Sequence, residues 1–396
     1  MELIHKSIFD FGAKGDGISD DSAAFNEAFS GGFFVTVPAG EYCIRHTVRI
    51  GSDTTVEADE KAHIFLGAGA QKLREDFLIA TKPGAHSSNI SISGGIWDGN
   101  CANNDRGPDF QDPFVTSGTL INFRDIDHLT LSHMTVKNPL CYYFRFCEAE
   151  YVTIHDIRFM SETLRTNQDG LHFAGFCRHF RISDLSGGYG APNDDFLAFN
   201  ADDALNRQEN YDVSNGPIED FEVENVHSDY CHCFIRLLSV NSPIRNIRIR
   251  HITGVTYHCL LNMDMARHCR IQLFREEDYP DGVGFVENVE ISDVAVSHVN
   301  PEDTDDVDAT FSIMGNVKNL ILRDVRITDG TSDLLTIDKM ADHRILMRGI
   351  KGLKTQQINA PGLSVTPKGI AGTISHTDTV SVRLAGFEEL EIDRME

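Results

Sequence analysis

The sequence predicts an all-β chain wound as a right-handed, single-stranded parallel β-helix with an N-terminal capping helix. Three features carry that expectation. A short phrase of alternating apolar and polar residues recurs along the chain, most copies hold a bend-forming Asn or Asp, and one amphipathic helical segment precedes the first copy.

The phrase begins at Asn89, His128, Tyr151, His179, Asp220, Asn246, Asn288 and Asn319. Typical copies read Tyr-Val-Thr-Ile-His-Asp-Ile-Arg-Phe from Tyr151 and Asn-Ile-Arg-Ile-Arg-His-Ile from Asn246. Period-two alternation marks each piece as a half-buried strand, because successive side chains point to opposite faces. The polar residue after the first strand suits a sharp bend, since its short side chain can bond the backbone and tolerates left-handed geometry. Copies lie about 23 to about 42 residues apart, which suits coils of roughly 20 to 30 residues. The longer gaps imply either inserted loops or a degenerate coil. One strand–bend–strand unit cannot bury its apolar face alone, so the units must stack. The period of two excludes helical repeats, and scarce hairpin dipeptides argue against a propeller. Ile90, Leu129, Val152, Phe180, Phe221, Ile247, Val289 and Leu320 should therefore form one interior ladder.

Residues 20–29 read as a short helix with acidic residues at its start and Ala24, Phe25, Ala28 and Phe29 on one face, fit to plug the first coil. The expected organisation is one domain over 1–396. A cap covers about 1–45, coils about 46–335, and strand-rich irregular coils close the end over about 336–396.

The 396 residues are 41% hydrophobic and 24% charged, ordinary for a globular protein. No apolar run approaches the roughly 20 residues of a membrane span. The start, Met-Glu-Leu-Ile-His-Lys, lacks the basic-then-apolar order of a secretion signal, which fits a cytoplasmic chain. A net charge of −25 disfavours nucleic acid as a partner, whose binding needs clustered Lys and Arg. The nine cysteines have no framework spacing and read as reduced, packed thiols. Cys231 and Cys233 would share one strand face, and His227 and His232 lie close by. Without a second pair at zinc-finger spacing, no metal is expected there.

The opening Phe9-Asp-Phe-Gly-Ala-Lys-Gly-Asp-Gly-Ile-Ser-Asp-Asp-Ser-Ala-Ala-Phe25 resembles the N-terminal signature of the pectate-lyase-like β-helix superfamily. It is most similar to that of the family 28 glycoside hydrolases, the polygalacturonase group. Gly95-Ile-Trp-Asp-Gly-Asn100 and Val136-Lys-Asn-Pro-Leu-Cys-Tyr-Tyr143 are similar to further segments of that group. Asn167-Gln-Asp-Gly170 resembles its Asn-Thr-Asp motif, and Asn193-Asp-Asp195 its Gly-Asp-Asp motif. The resemblance covers roughly residues 8 to 260. The family's Gly-His-Gly motif has no clear counterpart, only His227-Ser-Asp-Tyr-Cys-His232. Its Arg-Ile-Lys clamp for uronates has none better than Ile235-Arg-Leu-Leu238.

The resemblance implies a catalytic set of Asp169, Asp194 and Asp195. Simple geometry supports it, because adjacent coils lie about 4.8 Å apart and the two motifs are separated by about one coil. Three carboxylates so close cannot all ionise freely, so at least one should be held as an acid. That division of labour suits inverting glycosidic cleavage. Asp195 or Asp169 is the expected acid, with the remaining pair positioning and deprotonating water. Asn167 and Gln168 are sugar partners or turn residues. His172 and Arg236 are the basic candidates for substrate binding, and Trp97, Tyr142 and Tyr143 the candidate sugar-stacking faces. Asn200-Ala-Asp-Asp203 reads as a loop rather than a calcium site.

The implied substrate is an oligo- or polysaccharide, cleaved with no cofactor. The insert at 99–118 would wall one side of the groove and favour attack from a chain end. The alternatives are a lyase or epimerase acting on a uronate glycan, and a non-catalytic carbohydrate-binding β-helix.

Overall fold

In the computed structural model, the described residues are 3–106, 116–203, 210, 212–264 and 284–299. To these are added strands at 311–314, 317–330, 335–337, 363–366, 369–372, 377–384 and 387–395. They form a right-handed parallel β-helix, each coil hydrogen-bonded to the next. The long strands Ile121–Lys137, Phe144–Met160, Cys177–Tyr189, Ile218–Leu238, Ile244–Asp264 and Val286–His298 run through the bends of successive coils.

The expected interior ladder is present residue for residue. Ile90 pairs with Leu129, Leu129 with Val152, Val152 with Phe180, Phe180 with Phe221, Phe221 with Ile247, Ile247 with Val289, and Val289 with Leu320. All eight are buried. The register also decides what the longer gaps contain. Ile90 meets Leu129, Phe180 meets Phe221 and Ile247 meets Val289 directly, so no coil is skipped in the three longest gaps. Phe146, Phe173 and Phe199 stack beside this ladder at 5.0–5.5 Å between centroids.

Two columns of left-handed residues turn each coil. One is the bend read from the sequence, at His133, Asp156, Asp184, Asn225, His251, Asp293 and Asp324. The other is the first residue of each phrase, at Asn89, His128, Tyr151, His179, Asp220, Asn246, Asn288 and Asn319. In this second column the amide of Asn246 donates to Asp220, that of Asn288 to Asn246, and that of Asn319 to Asn288. Where the column holds larger rings, His128, Tyr151 and His179 stack instead, 4.8–5.2 Å apart.

Beside that bend, charges alternate from coil to coil. Glu150, Arg178, Glu219, Arg245 and Glu287 follow one another in register. Arg181, Glu222, Arg248 and Glu290 form a second such column, with contacts of 3.4–3.6 Å. Each exposed pair contributes little alone, about 0–1 kcal/mol.

The cap helix spans Ser22–Ala28, and Ala24, Phe25, Ala28 and Phe29 are buried as expected. Its acidic start acts differently from a dipole cap. The Asp21 carboxylate makes no cap hydrogen bond and instead accepts from the backbone N–H groups of Lys14 and Gly15, fixing the preceding loop. At the far end, Leu363–Thr366 pairs antiparallel with Gly369–Gly372 and Thr377–Leu384 with Phe387–Met395, which also returns parallel to Val317–Gly330. Of the insert at 99–118, residues 107–115 lie outside the described set.

Phe180 contacts the rings of Phe146, Phe173 and Phe221. Phe180→Ala should cost about 3–5 kcal/mol in urea unfolding, because the aligned coils cannot collapse onto the gap. Tyr151→Ala, in the exposed stack, should cost less than about 1 kcal/mol. Equal losses would contradict a core organised on this ladder.

Candidate active site

One face of the β-helix is built from the short strands Val48–Ile50, Ile79–Thr81, Leu171–Phe173 and Asp195–Asn200 and the ends of the longer ones. Down this face runs a polar column in strict register: Asn122, Arg145, His172, Ala198, Arg236 and Asn262. The Asn167–Gly170 and Asn193–Asp195 motifs enter this face at successive coils. The backbone N–H of Gly170 donates to the Asp195 carbonyl at 2.9 Å, which clamps the two together. Position 170 must be glycine, because a Cβ there would lie 2.6 Å from the Phe196 carbonyl oxygen. The three aspartates thus come together as the spacing predicted. Asp169 and Asp195 are each 2% exposed, and the Asp194 side chain is 19% exposed.

Their surroundings differ. Asp194 accepts from the Asn167 amide at 3.1 Å and lies 3.1 Å from His232 Nδ1. Asp195 Oδ2 accepts from Arg236 at 3.1 Å. Asp169 Oδ2 accepts from His172 Nδ1 at 2.7 Å, and His172 Nε2 donates to Asp203 Oδ2 at 2.8 Å. Burial pushes the Asp169 carboxyl up to about 7; the hydrogen bond from His172 opposes the rise, and the charges of Asp194 and Asp195 add to it. Burial alone would lower His172, but the Asp203 charge and the two carboxylate hydrogen bonds outweigh it and hold the imidazole at about 9. A ring whose two nitrogens both face carboxylates at this value is an imidazolium, donating from both. Asp169 Oδ1 and Asp195 Oδ1 are buried without a protein hydrogen-bond partner, so a water bound by both would satisfy two acceptors at once.

Several expectations need correction. Trp97 and Tyr143 are core residues, not sugar platforms. Trp97 donates to the Gly94 carbonyl at 2.9 Å and Tyr143 to the Met160 carbonyl at 2.7 Å, and neither ring reaches the surface. Tyr142 is also buried, stacked 4.0 Å from His172. His172 and Arg236 are buried and serve the aspartates directly. Gln168 is a turn residue, donating to the Pro139 carbonyl at 2.7 Å.

The Asn200–Asp203 stretch divides. Asp202 is a loop staple, accepting from the backbone of Val240, Asn241 and Ser242 and from the Ser242 hydroxyl at 2.6–2.8 Å. Asp203 is not a loop residue in this sense. It is the second carboxylate on His172, buried and also reached by the Asn210 amide. The eight described cysteines are reduced and buried. Cys231 and Cys233 are separated by a register shift, and Cys233 instead faces Cys259 at 3.7 Å. Asp194, Asp195 and His232 bring possible ligand atoms within 4.8 Å of one another, an arrangement that could hold a cation. Arg236 already supplies counter-charge to Asp195, and His232 lies against Asp194.

Sequence reasoning missed the roles of Asp203 and His232, together with a column of tyrosines that ends on the exposed Tyr189. Tyr189 stacks on Tyr230 at 4.8 Å and Tyr230 on Tyr257 at 4.9 Å. Their spacing was a usable signal, because Tyr189 to Tyr230 repeats the offset of Phe180 to Phe221.

Residues 6–99 match the model of the family described as rhamnogalacturonase A/epimerase, pectate lyase-like. Among solved structures, the family 28 exopolygalacturonase of Yersinia enterocolitica superposes with a TM-score of 0.55 at 14% identity, covering 85% of this chain and 68% of that one. The chain has the pectate-lyase-like β-helix fold. An iota-carrageenase bound to iota-carrageenan fragments shares this β-helix, with a TM-score of 0.54 at 12% identity over 75% of this chain and 74% of the other. In sequence, the plasmin and fibronectin-binding protein A of Streptococcus pneumoniae is 29% identical over 181 residues. That match takes in 41% of this chain and a quarter of that protein's own length (25%).

Asp203→Asn should destabilise by about 3–5 kcal/mol near neutral pH, since it strips one partner from a buried charge pair. The loss has a sign in pH. His172 rises from 6.5 to about 9 on folding, so its contribution is full below 6.5 and is lost as pH climbs through about 9. The melting-temperature gap between wild type and variant should therefore be widest at mildly acidic pH and close above about pH 9. A gap that stays constant would mean that His172 is neutral in the fold.

Proposed function

We propose that the protein is a glycoside hydrolase that cleaves its glycan with inversion, using Asp169, Asp194 and Asp195 as one unit. The observation that carries the reading is the pair of buried, unpartnered oxygens, Asp169 Oδ1 and Asp195 Oδ1, beside a more exposed third carboxylate. Asp169 and Asp195 hold the attacking water between them. With its carboxyl pushed up to about 7, Asp169 is a base matched to neutral pH. His172 occupies its other oxygen and keeps it oriented. Asp194 opens to solvent beside His232 and Asn167, so it is placed to protonate the leaving oxygen. This assigns the acid to Asp194, where the sequence alone favoured Asp195 or Asp169. The likeness in fold to an exopolygalacturonase and an iota-carrageenase supports a polysaccharide or oligosaccharide as the substrate.

A second reading, a non-catalytic binding β-helix, is favoured by the 181-residue likeness to a plasmin- and fibronectin-binding protein. The family description also contains an epimerase, which keeps uronate chemistry as an alternative. Reducing-end release from a panel of oligosaccharides marks cleavage, an unsaturated product then marks a lyase, and a changed uronate configuration without release separates an epimerase from a binding module.

Each of Asp169→Asn, Asp194→Asn and Asp195→Asn should lower kcat by at least about a hundredfold in protein still folded at the assay temperature, with Asp169→Asn and Asp195→Asn melting lower because they strip a partner from His172 and Arg236. Pairwise combinations should lose little more, because one concerted step cannot be lost twice. In the wild type, kcat/KM should fall as pH drops below about 7, when Asp169 takes up a proton. Chelator should leave the rate unchanged. Near-normal turnover in the three variants would place the chemistry elsewhere, and a chelator-sensitive rate restored by calcium would favour the lyase.

A further inference from the structure

Three tyrosines on successive coils stand beside the carboxylate cluster. Tyr189 stacks on Tyr230 with rings 10° from parallel, and Tyr230 on Tyr257 at 22°. The column is tied to the candidate active site at two points. Tyr257 donates from its hydroxyl to the Asn193 carbonyl at 3.1 Å, one residue before Asp194, and its ring lies edge-on to His232 at 5.2 Å. His232 in turn touches Asp194. At the other end, Tyr189 is 74% exposed although one of its faces is covered by Tyr230, so its second face is open to solvent. The exposed Leu164 lies against Gly190, the residue after Tyr189.

An aromatic ring with an open face, an apolar body and a polar tip is well suited to the C–H face of a pyranose. Acidic groups close to the column include Asp194, 3.1 Å from His232, and Asp229, which precedes Tyr230 in the chain and lies 3.2 Å from His227. Arg236 is buried against Asp195, and Arg165, on the Leu164 loop, donates to the Cys101 carbonyl at 3.1 Å. These basic groups are already paired, so they give a uronate or sulfated ring no advantage over an uncharged pyranose. We propose that the Tyr189–Tyr230–Tyr257 column is a sugar-binding subsite, with Tyr189 as its platform, that takes an uncharged pyranose unit of the glycan. The proposal rests on the glycan reading above, but it concerns binding and not bond cleavage.

The test uses the full-length chain carrying Asp169→Asn, which blocks turnover and leaves the column untouched. It is titrated calorimetrically with xylo-, gluco-, manno- and galacto-oligosaccharides of increasing length, and with oligogalacturonates. At least one neutral series should bind, and more tightly than the oligogalacturonates. Adding Tyr189→Ala should weaken that binding about tenfold, the scale of one aromatic stack. Tyr189→Trp should restore it, which a merely structural role for the ring would not do. Tyr151→Ala, which breaks the His128–Tyr151–His179 stack in a bend column, should leave binding unchanged. Equal binding with and without Tyr189, preference for the uronate, or no binding of any neutral series would overturn the proposal. Tyr189-dependent binding in a protein whose aspartate variants show no change in turnover would sink the hydrolase assignment and leave the subsite standing.

Discussion

Coil-on-coil register is the constraint from which the remaining structure follows. Parallel strands stack at about 4.8 Å, so each residue's closest non-local neighbours are its counterparts one coil before and one coil after. A single choice of phase therefore creates the apolar ladder from Ile90 to Leu320, the left-handed bends, the charge columns and the polar column through His172 and Arg236. The carboxylates meet for the same reason that the phenylalanines do. Asp169 and Asp195 occupy neighbouring coils, and the Gly170–Asp195 backbone hydrogen bond leaves them little freedom to separate.

That rigidity shapes the electrostatics. Three carboxylates held together would repel, and the fold answers with a different partner for each: His172 for Asp169, His232 for Asp194 and Arg236 for Asp195. Asp203 then stabilises the charged form of His172 from the far side. The result is an arrangement in which His172 and Arg236 each hold one oxygen of Asp169 and Asp195, while the other oxygen of each stays without a protein partner. The missing Gly-His-Gly and Arg-Ile-Lys motifs fit this picture, because the basic groups present are committed inward.

Much of this could be read from the residues alone, and the parts that could not share one cause. The ladder was legible because period-two alternation survives in every copy of the phrase. Asp169, Asp194 and Asp195 were legible because their separation matches a coil. Asp203 was opaque: it sits in a loop, and its partner His172 is 31 residues away on the preceding coil. Trp97 and Tyr143 were misjudged because an aromatic residue in a strand carries no mark of which face it takes when its neighbours are mixed. The second column, at the first residue of each phrase, escaped notice because it mixes Asn and Asp with bulkier residues such as His128 and Tyr151. Ring stacking against their neighbours compensates for the backbone cost, and only the structure shows it.

The alternation of Glu150, Arg178, Glu219, Arg245 and Glu287 has an implication for how such a chain can grow or shrink. Apolar columns are indifferent to the loss of a turn, since Phe180 would pack on Ile247 nearly as well as on Phe221. Charged columns are not. Excising the turn that carries Glu219 would bring Arg178 against Arg245, and the parallel column would oppose Arg181 to Arg248. Removing two consecutive turns restores attraction in both. Each pair is feeble, yet two columns reporting the same fault give the winding chain a parity rule, under which turns are gained or lost most cheaply in twos.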